Sequence, residues 1–310
     1  MKVVSYYNVV PNKNKSQEKF DILTKFVKGV IAAGDTGILH TGTNLIDADV
    51  GVIQGWQHER GKTAPHLQLR QSVINRTANT HVCSADSNFF LYANKSNQPH
   101  HYLRYSFNGV FPNTGEYFDN NPNPIRWRQI SKDTGIVIKE PKTNGNHILI
   151  CAQREGGWSL GTHNLINWLL NTCTEIRKHS DRPIIVRLHP KDNKSNRRAT
   201  NIVRALETVN KVTLSNNRDD IEKDLINCWA VVNHNSSAIV GPIIQGHNAF
   251  ITDPKTSQCA EVAHYGFEKI ETPEIFDRQK WLERVSMFHW KFSELEDGTA
   301  WRHMKQYVCS

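Results

Sequence analysis

Short apolar runs alternate along this chain with longer stretches in which apolar residues recur every three to four positions. Residues 2–10, KVVSYYNVV, form the first such run and predict a strand. A polar, basic loop follows. Phe20, Leu23, Phe26, Val27, Val30 and Ile31 then keep the 3.6-residue period, so a helix is expected up to Gly34-Asp35. Strand runs follow at 37–40, 49–56 and 80–85, with a helix between them over 66–76. Residues 94–124 lose periodicity, and Pro and Asn are interleaved with Tyr102, Tyr105, Phe107, Phe111, Tyr117 and Phe118. An ordered loop region is expected there, and a linker over 139–146. The alternation resumes with strands at 147–152, 183–188, 212–214, 229–232 and 249–252, and with helices at 163–178, 195–208, 219–227 and 238–244. Two further helices, 277–288 and 294–307, close the chain. Strands that alternate with helices predict parallel sheets, here in two tandem α/β lobes. The first lobe spans 1–140 with a C-terminal helix about 289–310, and the second spans 141–288.

Length and composition fit this plan. At 310 residues the chain suits two domains of ordinary size. No apolar run reaches 18 residues, so no spanning helix is expected. The chain opens directly on a strand run rather than on the apolar core of a signal peptide, which predicts a cytoplasmic protein. The six cysteines, Cys83, Cys151, Cys173, Cys228, Cys259 and Cys309, include no C-x-x-C pair, which favours reduced core thiols over disulfides or zinc ligands. The formal net charge is +8. Residues 1–140 hold 16 Lys and Arg against 11 Asp and Glu, a balance of +5, and the remainder holds 22 against 19, or +3. Such an excess permits a polyanionic partner without demanding one.

Candidate chemistry gathers at the ends of the second lobe's strands. Around residues 229–254 a buried strand runs into the polar turn Asn233-His234-Asn235-Ser236-Ser237, a short helix broken by Gly241-Pro242, and a second strand ending in Asp253-Pro254. Free N–H groups at the helix start would make an anion site at the carboxyl edge of the sheet, although Ser236 and Ser237 equally serve as caps. If the sheet is parallel, two more strand ends converge there. One brings Gln153, Arg154, Gly156, Gly157 and Trp158, and the other brings Arg187, His189 and Lys191. Arginine forks suit phosphate oxygens, and paired glycines let a backbone approach a ligand closely. Neither a Walker A motif nor a strand-linked G-x-G-x-x-G is present, which argues against ATPase and NAD chemistry.

The strand, polar turn, Gly-bearing helix and strand ending in Asp-Pro resemble the nucleotide-sugar half of GT-B glycosyltransferases. The Arg187-x-His189-Pro190 run resembles the donor lobe of capsule-type and phage members. The resemblance implies two Rossmann-like lobes with parallel sheets facing a central cleft, and C-terminal helices crossing back to the first lobe. It implies a UDP-sugar donor, no tightly bound metal, and a diphosphate on Asn235, Ser236, Ser237 and Arg187. The ribose-binding Glu before a G-x-P is missing here, and Glu261 is the nearest later acid.

The first lobe would supply the acceptor side. In inverting transfer a carboxylate or histidine takes the acceptor proton. Asp86 ends a strand and resembles, in topology, the base of phage DNA β-glucosyltransferase, with His58 and Glu59 in reserve. A basic first lobe carrying Lys13, Lys15, Arg60, Lys62, Arg70 and Arg104 looks like phage enzymes that glycosylate hydroxymethylated pyrimidines in double-stranded DNA. A monomeric DNA-modifying transferase is therefore the leading expectation. The alternatives are a transferase acting on a surface polysaccharide or lipid-linked glycan, a GT-B-fold nucleotide-sugar epimerase, and a non-catalytic DNA-binding protein.

Overall fold

The structure, a computed structural model, describes residues 1–8, 13–56, 64–75, 78–86, 88–92, 102–109, 121–154, 160, 164–189, 196–217 and 220–309, without the side chains of 13–15, 91–92 and 196–199. The chain divides into two compact units, Met1–Leu91 with Lys95–Gly135 and Glu283–Ser310, and Tyr92–Asn94 with Ile136–Leu282.

The first unit opens with β1 (Lys2–Tyr6), α1 (Lys13–Ala32), β2 (Thr36–His40), β3 (Ala48–Gln54), α2 (Pro65–Ile74), β4 (Asn79–Asp86), β5 (Leu103–Phe107) and α3 (Pro124–Thr134). The second unit holds β6 (His147–Cys151), α4 (Leu165–Arg177), β7 (Ile184–Arg187), α5 (Asn196–Leu206), β8 (Val212–Leu214), α6 (Ile221–Leu225), β9 (Cys228–Asn233), α7 (Val240–Ile244), β10 (Asn248–Ile251) and β11 (His264–Tyr265). The division between the units falls within α8 (Arg278–Ser286). The first unit is then completed by β12 (His289–Trp290), α9 (Phe292–Glu296) and α10 (Thr299–Met304).

Each unit is built on a six-stranded sheet, in the orders β12-β5-β4-β3-β1-β2 and β11-β10-β9-β6-β7-β8. All strand pairs of the second sheet are parallel. The first sheet is parallel from β2 to β4, but β5 and β12 add an antiparallel edge. The fold class is α/β with two parallel-dominated sheets.

The antiparallel edge corrects the loop reading of residues 94–124 at 103–107, which form β5, while 94–101 and 110–120 lie outside the described residues. Leu103, Tyr105 and Phe107 do alternate with polar residues, but both faces of β5 are buried apart from a half-buried Leu103. The polar alternates are satisfied directly across the strand pair. Arg104 lies opposite Asp86 and binds it at 2.9 Å, and Ser106 lies opposite Ser84 with the hydroxyls 3.0 Å apart. Asn123 caps α3 by accepting from the Ile125 N–H, and Pro124 occupies the first turn, where a missing N–H costs nothing. The expected helix over 294–307 is split into α9 and α10 at Gly298, which adopts φ +83°.

The C-terminal segment is fastened to α1. Gly29 permits this approach, since any Cβ there would strike the Leu295 carbonyl. Lys25 and Lys28 grip the two oxygens of Glu296 at 2.6 and 2.7 Å. Trp301 packs on Phe26, with centroids 5.7 Å apart, and its indole N–H donates to Asp35 at 2.7 Å. Five of the cysteines are buried and Cys309 is exposed. Burial pushes the thiols of Cys151, Cys173 and Cys228 up to about 12. Among the described residues, no helix is long and apolar enough to cross a membrane.

His289 sits fully buried at the join of β12, α8 and the turn after β4. Its Nδ1–H donates to the Val285 carbonyl at 2.7 Å and its Nε2 accepts from the Phe89 N–H at 3.2 Å, an arrangement that requires the neutral ring. Burial, with Arg104 and Arg126 nearby, lowers its pKa to about 3. An unfolded histidine takes up its proton near pH 6.5, so the unfolded chain binds more protons between that pH and about 3. Stability from this site is therefore complete above pH 6.5 and is lost as pH falls through that window. Urea unfolding between pH 7.5 and 4.5 is expected to show stability falling with acid, and His289→Gln is expected to flatten that slope while lowering stability at pH 7.5. An unchanged slope in the variant would assign the acid sensitivity elsewhere.

Candidate functional site

β6 and β9 are buried along their whole lengths, and β10 along all but its first residue. Their carboxyl ends are level, with Ile150 opposite Val232 and Ile251 opposite Asn233. The first polar residues after each strand therefore meet at one edge of the sheet, where open parallel sheets place ligands. Gln153 follows β6, His234 and Asn235 follow β9, and Thr252 and Asp253 follow β10.

These side chains are joined by hydrogen bonds. The Gln153 amide donates to Asn235 Oδ1 at 2.7 Å, and its Oε1 accepts the Asn235 backbone N–H at 3.2 Å. Asn235 Nδ2 donates onward to Thr256 Oγ1 at 2.6 Å and to Asp253 Oδ2 at 3.1 Å. The Thr256 hydroxyl donates to the same carboxylate, and the Lys255 N–H meets Asp253 Oδ1 at 3.1 Å. Burial pushes the Asp253 carboxyl up, but the bonds from Thr256 and Asn235 and the nearby His234 outweigh it and hold the group below its ordinary value. Thr252 Oγ1 accepts the Trp168 indole N–H at 2.9 Å and lies 2.7 Å from His234 Nδ1. His234 Nε2 is 3.9 Å from Asp253.

The turn itself is closed locally. Asn233 Nδ2 donates to the Ser236 carbonyl at 2.7 Å, and Ser236 Oγ caps the Ala238 N–H at 3.2 Å. The expected helix start is a 3-10 turn, Ser237–Ile239, which leads into α7. Gln258 reaches back to Ser237 Oγ at 2.6 Å, and its carbonyl accepts the Trp281 indole N–H at 3.0 Å. Glu261 is exposed, three residues beyond Gln258.

Gln153, Asn235, Ser236 and Ser237 are thus brought together, with Arg154 exposed at the adjoining position. Arg187 is used differently from the expected phosphate contact. Only 9% exposed, it binds Asp224 at 2.7 Å and donates to the Asn217 carbonyl. Asp224 also accepts from Ser215 at 2.7 Å and from Asn217 Nδ2 at 2.7 Å. This network clamps the ends of β7 and β8 to α6. His189 is half-buried two residues beyond Arg187. Asp86 is bound by Arg104, which is 5% exposed and so is not a surface cation. Arg70 is half-buried and donates to the Trp56 carbonyl at 3.3 Å. Gly156, Gly157, Trp158, Lys191, His58, Glu59, Arg60 and Lys62 lie outside the described residues, as do the side chains of Lys13 and Lys15. Among the described residues, no group of three or more His, Cys, Asp or Glu side chains could hold a metal ion.

Trp168, His234, Thr252, Asp253, Thr256 and Gln258 complete the network; the sequence places His234 in the turn and Asp253 at the strand end without giving either a role, and marks none of the other four as a candidate. A signal was present for two of them: Thr252 and Asp253 directly follow an apolar strand of a predicted parallel sheet, a position that favours ligand-facing polar groups over a mere turn.

No protein-family model matches the sequence, and no curated protein matches it. Solved structures do. KpsC of Thermosulfurimonas dismutans, described as a beta Kdo 2,4 transferase, superposes with a TM-score of 0.55 at 11% identity, covering 94% of this chain and 92% of its own. A second structure from the same organism, KpsC described as a beta Kdo 2,7 transferase, gives 0.52 at 12%, covering 97% and 99%. The chain has the GT-B fold. Within that fold the linked edge of β6, β9 and β10 gathers Gln153, Asn235, Asp253 and Thr256 at one end of the second unit's sheet.

The Arg187–Asp224 pair yields a prediction. Removing one partner leaves a buried charge uncompensated, so Arg187→Ala is expected to cost about 3–5 kcal/mol of unfolding free energy. The double change Arg187→Met with Asp224→Leu is expected to recover much of that loss. Urea titrations check both, and an Arg187→Ala protein of unchanged stability would remove the clamp.

Proposed function

We propose that this chain is a glycosyltransferase that moves a sugar from a nucleotide-linked donor, UDP-sugar in the first instance, to a hydroxyl of a saccharide acceptor. The observation that carries the proposal is the pre-tied Gln153–Asn235–Asp253–Thr256 edge in a GT-B unit. It fixes a tight turn without help from a ligand, and such preorganisation limits the ordering cost of binding. In this reading the Ser236 and Ser237 N–H groups and the Arg154 guanidinium receive the donor diphosphate, and Glu261 receives the ribose. His189, Gly156, Gly157, Trp158 and Lys191 belong to the same proposed surface. Arg187 is a positioning residue held by Asp224.

A saccharide acceptor has more support than duplex DNA. The two similar structures above are both described as Kdo transferases. Of the cations assigned to DNA, Arg104 is buried on Asp86 and Arg70 is half-buried. In the reaction, the bond from the anomeric carbon to the donor phosphate breaks and the acceptor oxygen forms the new glycosidic bond. The acceptor's proton passes to a base, for which we propose Asp86 with His58 and Glu59 as alternatives.

Two outcomes test this. Arg154→Ala is expected to weaken uridine diphosphate binding by about 2 kcal/mol, roughly thirtyfold, as loss of a charge-assisted hydrogen bond does. Calorimetry returning wild-type affinity would remove Arg154 from the donor site. Asp86→Asn keeps an acceptor for Arg104 but removes the base, so turnover is expected to fall by roughly 10²–10⁴ with uridine diphosphate affinity unchanged. Full turnover in that variant would move the base elsewhere.

A further inference from the structure

The first unit contains a small cavity at the carboxyl ends of β1 and β3, between α1 and α2. Tyr6, Lys19, Gln54, His66 and Arg70 are among the residues that line it, and its volume is about 20 Å³. A water molecule needs roughly 10–15 Å³ by the same measure. The cavity therefore takes one small polar group of a ligand and leaves a sugar ring outside.

Two features of the wall define the group. The first is Arg70. A guanidinium carries five N–H donors, and among the described residues this one gives a single hydrogen bond, to the Trp56 carbonyl at 3.3 Å. It is half-buried, and burial pushes it below its ordinary value while the Asp86 charge pushes it back. Asp86 is itself bound to Arg104, and among the described residues no carboxylate forms an ion pair with Arg70. Gly55, at φ +78°, keeps the space open for the guanidinium, because a Cβ there would come within 3.1 Å of Arg70 Nη1. A partly desolvated cation with unused donors favours an oxyanion.

The second feature is Gln54, the last residue of β3. Among the described residues its Oε1 is buried without a hydrogen-bond partner. A buried acceptor left unmatched is costly, because it has given up its hydrogen bonds to water. Whichever way the amide is turned, a hydroxyl can satisfy the buried end, since a hydroxyl both donates and accepts.

We infer that this cavity is an acceptor subsite for a hydroxyl beside an oxyanion, the hydroxyl entering the cavity against Gln54 and the anion staying at its mouth on the half-buried Arg70. The occupant's role as acceptor rests on the glycosyl-transfer reading, whereas its chemistry rests on the cavity alone. A sugar carboxylate and a sugar phosphate both carry that chemistry.

The full chain, labelled with ¹⁵N, is titrated with methyl glucuronide, glucose 6-phosphate and neutral methyl glucoside, following the Arg70 Nε–H and Gln54 side-chain amide signals. At least one of the two anions is expected to move both signals saturably, and the tighter one assigns the source; the glucoside is expected to leave them in place. Arg70→Gln is expected to weaken the anion about tenfold or more, as loss of a charged hydrogen bond does, with Gln54→Leu giving a smaller loss. If Arg70→Gln does not fold, Arg70→Lys, which keeps the charge and loses the fork, is expected to weaken binding as well. A glucoside that shifts both signals as strongly as the anions, or anions that leave both unmoved, overturns the inference. Uridine diphosphate is titrated into the same sample. Loss of that binding with the anion shifts intact would sink the donor reading and leave the subsite standing.

Discussion

The reciprocal amide pair between Gln153 and Asn235 is the interaction on which the second unit's candidate site depends. Both residues are buried, and each supplies a donor and an acceptor to the other. A buried amide left unpaired would be costly, so the pair forces the ends of β6 and β9 into one relative position. The Asn235 side-chain Nδ2 then donates to both Thr256 and Asp253, which ties in β10. Three strand ends become one rigid rim. Whatever ligand binds there meets a surface whose ordering cost was met when the chain folded.

The same logic explains why Arg187 is not where its sequence position suggests. A cation at the end of a buried parallel strand can face a ligand or find an internal counter-charge. Here Asp224 on α6, with Ser215 and Asn217, supplies that counter-charge within the protein. Arg154, after the neighbouring strand, has the exposure that Arg187 lacks. Nothing in the local run Arg187-Leu188-His189 distinguishes the two outcomes, because the deciding partner lies 37 residues away.

The parallel core of both sheets was legible because period-2 and period-3.6 patterns are written locally. The order of elements in the second unit, through β9 and β10, follows from apolar runs that admit few other readings. β5 was not legible. Its Arg104 and Ser106 read as loop polarity until their cross-strand partners, Asp86 and Ser84, are known. The site was legible in part for the same reason. Gln153, Asn235, Ser236 and Ser237 stand at recognisable strand ends. Trp168 on α4 and Gln258 beyond β10 join only through contacts across 84 and 21 residues. Neither spacing nor propensity reports such contacts.

The placement of sulfur has a practical side. Five thiols lie inside the two units and one, Cys309, lies at the surface. Nucleophilic attack needs a thiolate within reach of the reagent, and burial withholds both the charge and the access. An alkylating probe therefore has one ready target while the chain is folded and six once it opens. Cys309 offers a single attachment point for a dye or a surface. The other five make the mass gained by the protein a running count of how much of it has come apart.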